Sequence, residues 1–278
     1  MPVTLNQIIA NTRLRVEALL QSPAAQVLEE QARQHVPRGF KRNLLEKAAQ
    51  GAAVIAELKK ASPSRGVIRQ HFSAVRLARE LEQAGAAALS VLTDEKYFQG
   101  SLSNLQEAST ATRIPCLRKD FIVHEVQLLE ARAHGADAVL LIAAALRDDE
   151  MFLLFEKARG LALDVLCEIH DERELERAMS IGFDIIGVNS RDLRTFQVDA
   201  QAPLRLAAKL PRNVLRIAES GIQTAAQLRE LRDAGYQAFL IGESLMRADA
   251  PGEKLRILLS LADSPSSGVE PVRSRGKK

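Results

Sequence analysis

Residues 54–65 read Val-Ile-Ala-Glu-Leu-Lys-Lys-Ala-Ser-Pro-Ser-Arg, an apolar run that passes directly into charged residues and then into a chain-breaking segment. Gly51 precedes the run, so the pattern predicts a short buried strand that leaves its sheet into a loop. Side chains alternate between the faces of a strand, so Glu57 and Lys59 should point the same way. Two opposite charges at the end of a buried strand must pair with each other or face a ligand cavity, and this strand alone leaves both possibilities open.

The same kind of apolar run recurs along the chain, and segments with helical periodicity separate the runs. Glycine precedes several of them, as at Gly85, Gly135, Gly182 and Gly235, which is typical of a helix that ends and turns into the next strand. Eight such units predict a parallel sheet closed into a (β/α)8 TIM barrel. An open doubly wound sheet is the alternative, but its Gly-x-Gly-x-x-Gly fingerprint is absent. The predicted strands span 53–58, 87–92, 114–117, 138–142, 164–169, 184–188, 214–218 and 238–241.

Helices are also predicted ahead of the first strand. Thr4 and Gln7 form a capping box at the start of the first one. We therefore expect a helical extension that belongs to the barrel domain, the barrel itself, and a disordered tail rich in Ser, Pro and Gly. The expected boundaries are 1–51, 52–262 and 263–278.

Composition excludes several classes of partner. The 278 residues carry a net charge of +3 with both signs well mixed, which is too weak to indicate nucleic acid or a membrane surface. No apolar run approaches the length of a membrane span and no signal-peptide core begins the chain, so we expect a cytoplasmic protein. Cys116 and Cys167 lie in predicted buried strands and should be reduced. The histidines lack metal-ligand spacing, so no metal site is expected.

Polar residues stand at the carboxyl ends of all the predicted strands except the fourth. In this fold the carboxyl ends of the strands carry the active site. An isolated carboxylate there could close off a strand, but ionisable groups at most of the ends would be a costly way to complete an apolar core. We therefore expect these side chains to converge on a ligand site. They are Glu57, Lys59, residues 93–98, Arg118, Lys119, Asp120, Glu168, Asn189, Arg191, Glu219, Ser220, Gly221, Gly242 and Glu243.

The residue types suggest the chemistry of this site. Lys59 and Lys119 can bind anionic groups, and a desolvated lysine can serve as a general acid near neutral pH. The glutamates can act as a base or hold the lysines in place. Gly221 and Gly242 follow the seventh and eighth strands, where this fold commonly cradles a phosphate through its backbone.

The chain resembles the indole-3-glycerol-phosphate synthase family over about residues 4–262, and seven segments between residues 55 and 246 carry the resemblance. They include Ile-Ala-Glu-Leu-Lys-Lys-Ala-Ser-Pro-Ser (55–64), Leu-Arg-Lys-Asp-Phe-Ile-Val (117–123), Cys-Glu-Ile-His (167–170) and Ala-Glu-Ser-Gly-Ile (218–222). The resemblance implies that a small phosphorylated substrate, 1-(2-carboxyphenylamino)-1-deoxyribulose 5-phosphate, is converted to indole-3-glycerol phosphate, carbon dioxide and water in tryptophan biosynthesis. It implies no cofactor, and we expect a monomer or weak homodimer.

The resemblance also implies roles for individual residues. Lys119 would be the general acid at the substrate ketone, Glu168 the general base in the later dehydration, and Lys59 the partner of the substrate carboxylate. The residues that would orient substrate and lysines are Glu57, Ser62, Asn189 and Ser220, with Glu219 in the same site. The aromatic-ring pocket would be lined by Phe98, Phe121 and Leu140, with Arg191 at its polar edge. Phosphate would be bound by the backbone of Gly221, Gly242 and Glu243.

One departure and two alternatives accompany this hypothesis. Glu243 stands where many relatives have serine, and a carboxylate there would weaken phosphate binding unless its side chain turns away. Another phosphate-sugar barrel, such as an isomerase, is disfavoured by the N-terminal helices and by the paired lysines. A non-catalytic phosphate sensor is disfavoured because binding alone needs neither the acid Lys119 nor the base Glu168.

Overall fold

Eight parallel strands, counted over the described residues, close into a barrel in the computed structural model, which describes residues 3–191 and 198–263. Each strand pairs with its neighbours in chain order, and the last pairs with the first in the register Ala53↔Ala238 to Ala56↔Ile241. This closure confirms the predicted barrel and rules out the open sheet. The strands are β1 (Ala53–Leu58), β2 (Ala88–Leu92), β3 (Cys116–Lys119), β4 (Ala138–Ile142), β5 (Asp164–Ile169), β6 (Ile185–Asn189), β7 (Leu215–Glu219) and β8 (Ala238–Ile241).

Half of these strands have the predicted bounds, and the other four begin later than predicted. β3 begins at Cys116 because Pro115 has no backbone N–H to contribute to the ladder. At their other ends, three strands run further than predicted and finish on Lys119, Asn189 and Glu219. These three site residues are therefore held by strand pairing rather than by a loop, which fixes their backbone positions.

Helices form the outer layer of the molecule and also close one end of the barrel. The capping boxes at Thr4 with Gln7 and at Thr224 with Gln227 are both formed. The helices are α1 (Leu5–Leu20), α2 (Pro23–Gln34), α3 (Phe40–Ala48), α4 (Ala74–Gln83), α5 (Glu95–Phe98), α6 (Leu102–Ala111), α7 (Val126–Ala133), α8 (Asp148–Gly160), α9 (Glu172–Ile181), α10 (Ala202–Ala207), α11 (Ala225–Asp233), α12 (Glu243–Met246) and α13 (Pro251–Asp263). None of the helices in the described ranges is long and apolar enough to cross a membrane.

The N-terminal helices contact the barrel at both ends. On α3, Phe40 and Leu44 belong to the apolar cluster inside the barrel, and Lys41 N donates to Asp164 Oδ2 at the first residue of β5. On α1, Arg15 lies 2.9 Å from Asp120, just beyond the carboxyl end of β3. Thus α3 closes the amino end of the barrel, whereas α1 packs beside the end that carries the polar residues.

Alternation along the strands separates the barrel interior from the layer beneath the helices. Cys116 and Cys167 are free and buried, as predicted, and both belong to the outer layer. On four alternate strands an apolar interior residue is followed at the carboxyl end by a charged interior residue. The apolar residues Ile55, Leu117, Leu166 and Ile217 are followed two positions later by Glu57, Lys119, Glu168 and Glu219.

The last helix ends one residue later than expected. Asp263, which the sequence analysis assigned to the tail, completes α13 and accepts hydrogen bonds from Ala52 N and Arg232. It thereby joins the end of the barrel to the start of β1. Residues 264–278 lie outside the described residues, so the disordered tail stays a prediction.

Candidate active site

The sequence-predicted site residues meet in a cavity of about 270 Å³ at the carboxyl ends of the strands, although residues 93–97 and Arg118, which the strand-end pattern also included, do not line it. The fifteen residues to which the family resemblance gave a role all line it. They are Glu57, Lys59, Ser62, Phe98, Lys119, Phe121, Leu140, Glu168, Asn189, Arg191, Glu219, Ser220, Gly221, Gly242 and Glu243. The four charged interior residues at the ends of β1, β3, β5 and β7 come from alternate strands, as expected for one layer of side chains in this fold.

Lys119 lies at the centre of the charged layer. Its Nζ is 2.7 Å from Glu168 Oε2 and 3.2 Å from Glu219 Oε2, and all three side chains are largely buried. Its neighbours in sequence point the other way. Arg118 and Asp120 pair with each other at 2.9 Å in a buried network beneath the helices. The three consecutive charges at the end of β3 therefore divide into one site residue and a structural pair.

Burial and neighbouring charges set the ionisation of this cluster. Burial alone would lower the pKa of Lys119, but the carboxylates of Glu168, Glu219 and Glu57 outweigh burial and raise it. This corrects the expectation of a lysine brought near neutral pH by desolvation. The pKa of Glu168 is lowered because the charges of Lys119 and His170 outweigh burial. Burial and the nearby Glu168 charge raise the pKa of Glu219 to about 7, although Lys119 acts in the opposite direction.

The Glu57–Lys59 pair satisfies both possibilities that the sequence left open. Lys59 Nζ lies 2.6 Å from Glu57 Oε1, and both residues line the cavity. The Lys59 side chain is 16% exposed, whereas the Glu57 side chain is 6% exposed. Lys59 is therefore the member of the pair that an entering anion can reach.

Two glycines make room for the charged layer. A Cβ atom at Gly187, in the middle of β6, would overlap the carboxylate of Glu219. A Cβ atom at Gly242, after β8, would overlap the carboxylate of Glu57. Gly242 thus has a packing role besides the one expected toward phosphate, and Gly187 has a role that the sequence analysis did not assign. The role of Gly187 could have been inferred from its position inside a predicted strand, because a glycine there often marks the close approach of another group.

Glu243 is surrounded by three arginines. Its carboxylate lies 3.3 Å from Arg65 Nε, 3.6 Å from Arg191 and 3.1 Å from Arg247 Nε. The carboxylate that departs from the serine of many relatives is thus more than neutralised by its neighbours. The resulting excess of positive charge stands beside the Gly221 and Gly242 turns, where the sequence analysis expected phosphate.

The opposite side of the cavity is apolar. The rings of Phe98 and Phe121 are tilted by 37° with their centroids 6.1 Å apart, and the buried Leu140 lines the same cavity. The site thus combines an apolar wall, a charged layer and a positively charged rim. No group of three potential metal ligands occurs in the part of the chain that the structure describes.

Comparison with known proteins identifies the family. The sequence model of the indole-3-glycerol phosphate synthase family matches residues 5–258. The chain belongs to this family. A synthase of this name from Koribacter versatilis is 56% identical over 259 residues, which covers 93% of this chain and 100% of the relative. A second, from Burkholderia multivorans, is 47% identical over 252 residues, covering 90% and 97% of the two chains.

Solved structures with the same architecture are more distant. A 3-hexulose-6-phosphate synthase has a TM-score of 0.61 at 14% identity and covers 75% of this chain and 99% of its own. A thiamine phosphate pyrophosphorylase from Pyrococcus furiosus has a TM-score of 0.58 at 16% identity, covering 77% and 96%. At such identities the likeness shows the barrel fold alone. Membership of the indole-3-glycerol phosphate synthase family therefore rests on the sequence match.

His170 and Glu174 lie beside the site of this synthase family member without having been singled out from the sequence. His170 Nε2 is 3.5 Å from Glu168 Oε1, and its Nδ1 is 3.1 Å from Glu174 Oε2. The sequence held one indication of the His170 contact. In the Cys-Glu-Ile-His segment, His170 stands two residues after Glu168 and therefore on the same side of the strand. The contact with Glu174, four residues further along, requires the start of α9 to turn back toward the strand end.

Proposed function

We propose that this chain catalyses the indole-3-glycerol phosphate synthase reaction in the cavity at the carboxyl ends of its strands. The substrate is 1-(2-carboxyphenylamino)-1-deoxyribulose 5-phosphate, and the products are indole-3-glycerol phosphate, carbon dioxide and water. The observation that carries the proposal is a buried lysine, Lys119, held between two carboxylates in a cavity with one apolar wall and one cationic rim. Binding a phosphate would not need this buried acid–base cluster.

Ring closure is the first step, and Lys119 is its proton donor. The aryl carbon that carries the substrate carboxylate bonds to the ketone carbon, and the C=O π electrons move onto the oxygen. A proton from Lys119 Nζ neutralises the oxygen as it becomes a hydroxyl. The raised pKa of Lys119 suits this task because a developing alkoxide is a stronger base than an amine, whereas a ketone is a far weaker one.

Decarboxylation follows, and Lys59 holds the departing carboxylate before it leaves. Its side chain is the more exposed member of the Glu57–Lys59 pair and lines the same cavity as Lys119. Breaking the bond between the aryl carbon and the carboxylate returns two electrons to the ring, which restores aromaticity. Phe98, Phe121 and Leu140 provide the apolar wall against which the ring lies.

Dehydration completes the indole, and Glu168 is its base. Glu168 takes a proton from the ring carbon beside the nitrogen, a C=C bond forms, and the hydroxyl leaves as water after accepting a proton from a lysine. The lowered pKa of Glu168 supports this role because the group is then ionised at neutral pH. Asn189, Ser220 and Glu219 stand around the reacting groups and orient them.

Phosphate binding is assigned to the turns after β7 and β8. Ser220 and Gly221 have φ values of 66° and 75°, so this turn is left-handed at two consecutive residues, one of which is not glycine. Strained backbone of this kind is concentrated at binding sites. Beside the turn, the arginines around Glu243 supply positive charge, and the backbone of Gly221, Gly242 and Glu243 supplies hydrogen-bond donors. A biosynthetic reaction on a small phosphorylated metabolite also fits the expected cytoplasmic location, and the expected assembly is a monomer or weak homodimer.

The test is direct conversion of the substrate, followed by indole fluorescence. We expect wild type to form the indole, and Lys119→Met and Glu168→Gln to lose turnover by about 10²–10⁴-fold, the usual worth of one acid or base. Both variants should bind inorganic phosphate with near-normal affinity because phosphate is held elsewhere. Lys157→Met is the matched control, because Lys157 lies on α8 in an exposed ion pair with Glu125, and this variant should turn over normally. A wild-type protein that binds the substrate without converting it would instead be a sensor.

A further inference from the structure

His170 is fixed beside the proposed base by an acidic side chain behind it. Its imidazole is 12% exposed, and Nδ1 lies 3.1 Å from Glu174 Oε2. The same Glu174 oxygen accepts the backbone N–H of His170 at 2.8 Å. Glu174 is itself 9% exposed and held in the first turn of α9, where its backbone N–H bonds to Asp171. The imidazole therefore has one defined orientation, with Nε2 directed at Glu168.

Two buried atoms face each other across this contact without a hydrogen bond. His170 Nε2 and Glu168 Oε1 are 3.5 Å apart, and neither has a hydrogen-bond partner among the described residues. Because the Glu174 carboxylate can only accept, Nδ1 carries a proton. A neutral ring would then turn the lone pair of Nε2 toward the lone pairs of Glu168. A second proton on Nε2 removes this repulsion and gives both buried atoms a partner.

The charges around the ring favour that second proton. Burial lowers the pKa of His170, but the hydrogen bond to Glu174 and the charges of Glu168 on β5, Glu174 on α9 and Glu219 on β7 together raise it above its ordinary value of 6.5. The groups that raise this pKa are thus carboxylates on three neighbouring elements. An imidazolium places a charge of opposite sign beside Glu168, on the side away from Lys119.

The order of the proposed steps gives this charge a purpose. Lys119 is the cation closest to Glu168, yet it loses its proton during ring closure. A buried carboxylate without a cation beside it would have a raised pKa and would take up a proton before the dehydration step needs it as a base. Glu168 therefore needs a second, permanent cation between the two proton transfers.

We propose that His170, as an imidazolium held by Glu174, positions the Glu168 carboxylate and keeps it ionised for the dehydration step. The inference rests on the proposed function, since it assigns His170 to one step of that reaction. His170 does not line the cavity and acts through Glu168, so it is a positioning residue. No proton is transferred to or from it during turnover.

The experiment separates the two halves of the reaction. Carbon dioxide release reports ring closure and decarboxylation, and indole fluorescence reports dehydration. In a single turnover of His170→Gln, we expect carbon dioxide release within about twofold of wild type, whereas indole formation lags by about tenfold or more. Gln can donate a hydrogen bond to Glu168 without a charge. His71→Gln, at an exposed position, is the matched control and should leave both rates unchanged.

The dependence on pH provides a second readout. An imidazolium is present below its pKa, so in wild type the indole-forming step should slow as pH rises through the raised pKa of His170. His170→Gln should lose this dependence. Equal slowing of both products, or no slowing of either, would overturn the inference. Glu174→Gln tests it independently: losing the charge that holds the imidazolium should delay indole formation in the same selective way, and equal rates of the two products would count against it. Absence of both products in wild type would instead overturn the proposed function.

Discussion

Glu219→Gln should make the protein more stable at alkaline pH. Glu219 is 1% exposed at the end of β7, where burial and the Glu168 charge raise its pKa from 4.5 to about 7. A group with a raised pKa in the folded state contributes stability below its unfolded pKa and loses that contribution as pH rises through the folded pKa. Ionised Glu219 therefore opposes folding at pH 8, and glutamine, which resembles the protonated acid, does not.

The magnitude follows from the two pKa values. At about 1.4 kcal/mol for each pH unit, the difference between 4.5 and about 7 amounts to about 3 kcal/mol at pH 8. For a chain of this size, each kcal/mol shifts the melting temperature by about 2–4 °C, so the variant should melt about 6–12 °C higher than wild type at pH 8. Near pH 4.5 the two proteins should melt at similar temperatures.

The assay is thermal unfolding followed by circular dichroism from pH 4.5 to 8 at constant ionic strength. Glu230→Gln, which removes an exposed carboxylate from α11, serves as the matched control and should give a curve parallel to wild type. The reasoning would be refuted if the Glu219→Gln curve were also parallel to wild type, because Glu219 would then not be forced to ionise at a cost.

Two further predictions concern residues that support the site from outside the cavity. Arg15→Met removes the 2.9 Å contact between α1 and Asp120, the residue after Lys119, and should lower kcat by a few fold with little loss of melting temperature. Arg13→Met, which removes the more exposed pair with Glu150, is the control. Equal kcat values for the two variants would contradict a coupling between α1 and the site. Gly187→Ala pushes a Cβ atom into the Glu219 carboxylate and should cost about 1–3 kcal/mol of unfolding free energy. Gly160→Ala, where a Cβ atom meets nothing within 4 Å, should be neutral or slightly stabilising, and similar urea midpoints for the two alanine variants would disprove the packing role.

Much of the fold and the site follows from local sequence patterns. The barrel and the exact bounds of four strands were predicted from strand periodicity, from the glycines that end helices and from the capping residues. These signals depend on residues within a few positions of one another, so the sequence shows them directly. Alternation along the strand also placed Glu57 on the same side as Lys59. The site residues were predictable because a parallel barrel brings the carboxyl ends of all its strands together, whatever their spacing in sequence.

The tertiary structure decided what depends on distances between strands. It made Glu168 the nearer partner of Lys119 and left Glu219 with the raised pKa, since a pKa is set by burial and by charges from other strands. It also showed why Gly187 and Gly242 are needed, how three arginines surround Glu243, and that His170 faces Glu168 with Glu174 behind it. Residues far apart in sequence meet at each of these places, and the strength of an electrostatic or packing contact changes over fractions of an ångström. The sequence by itself therefore determined the barrel and the membership of its site, whereas the three-dimensional arrangement alone determined the protonation and support of each group.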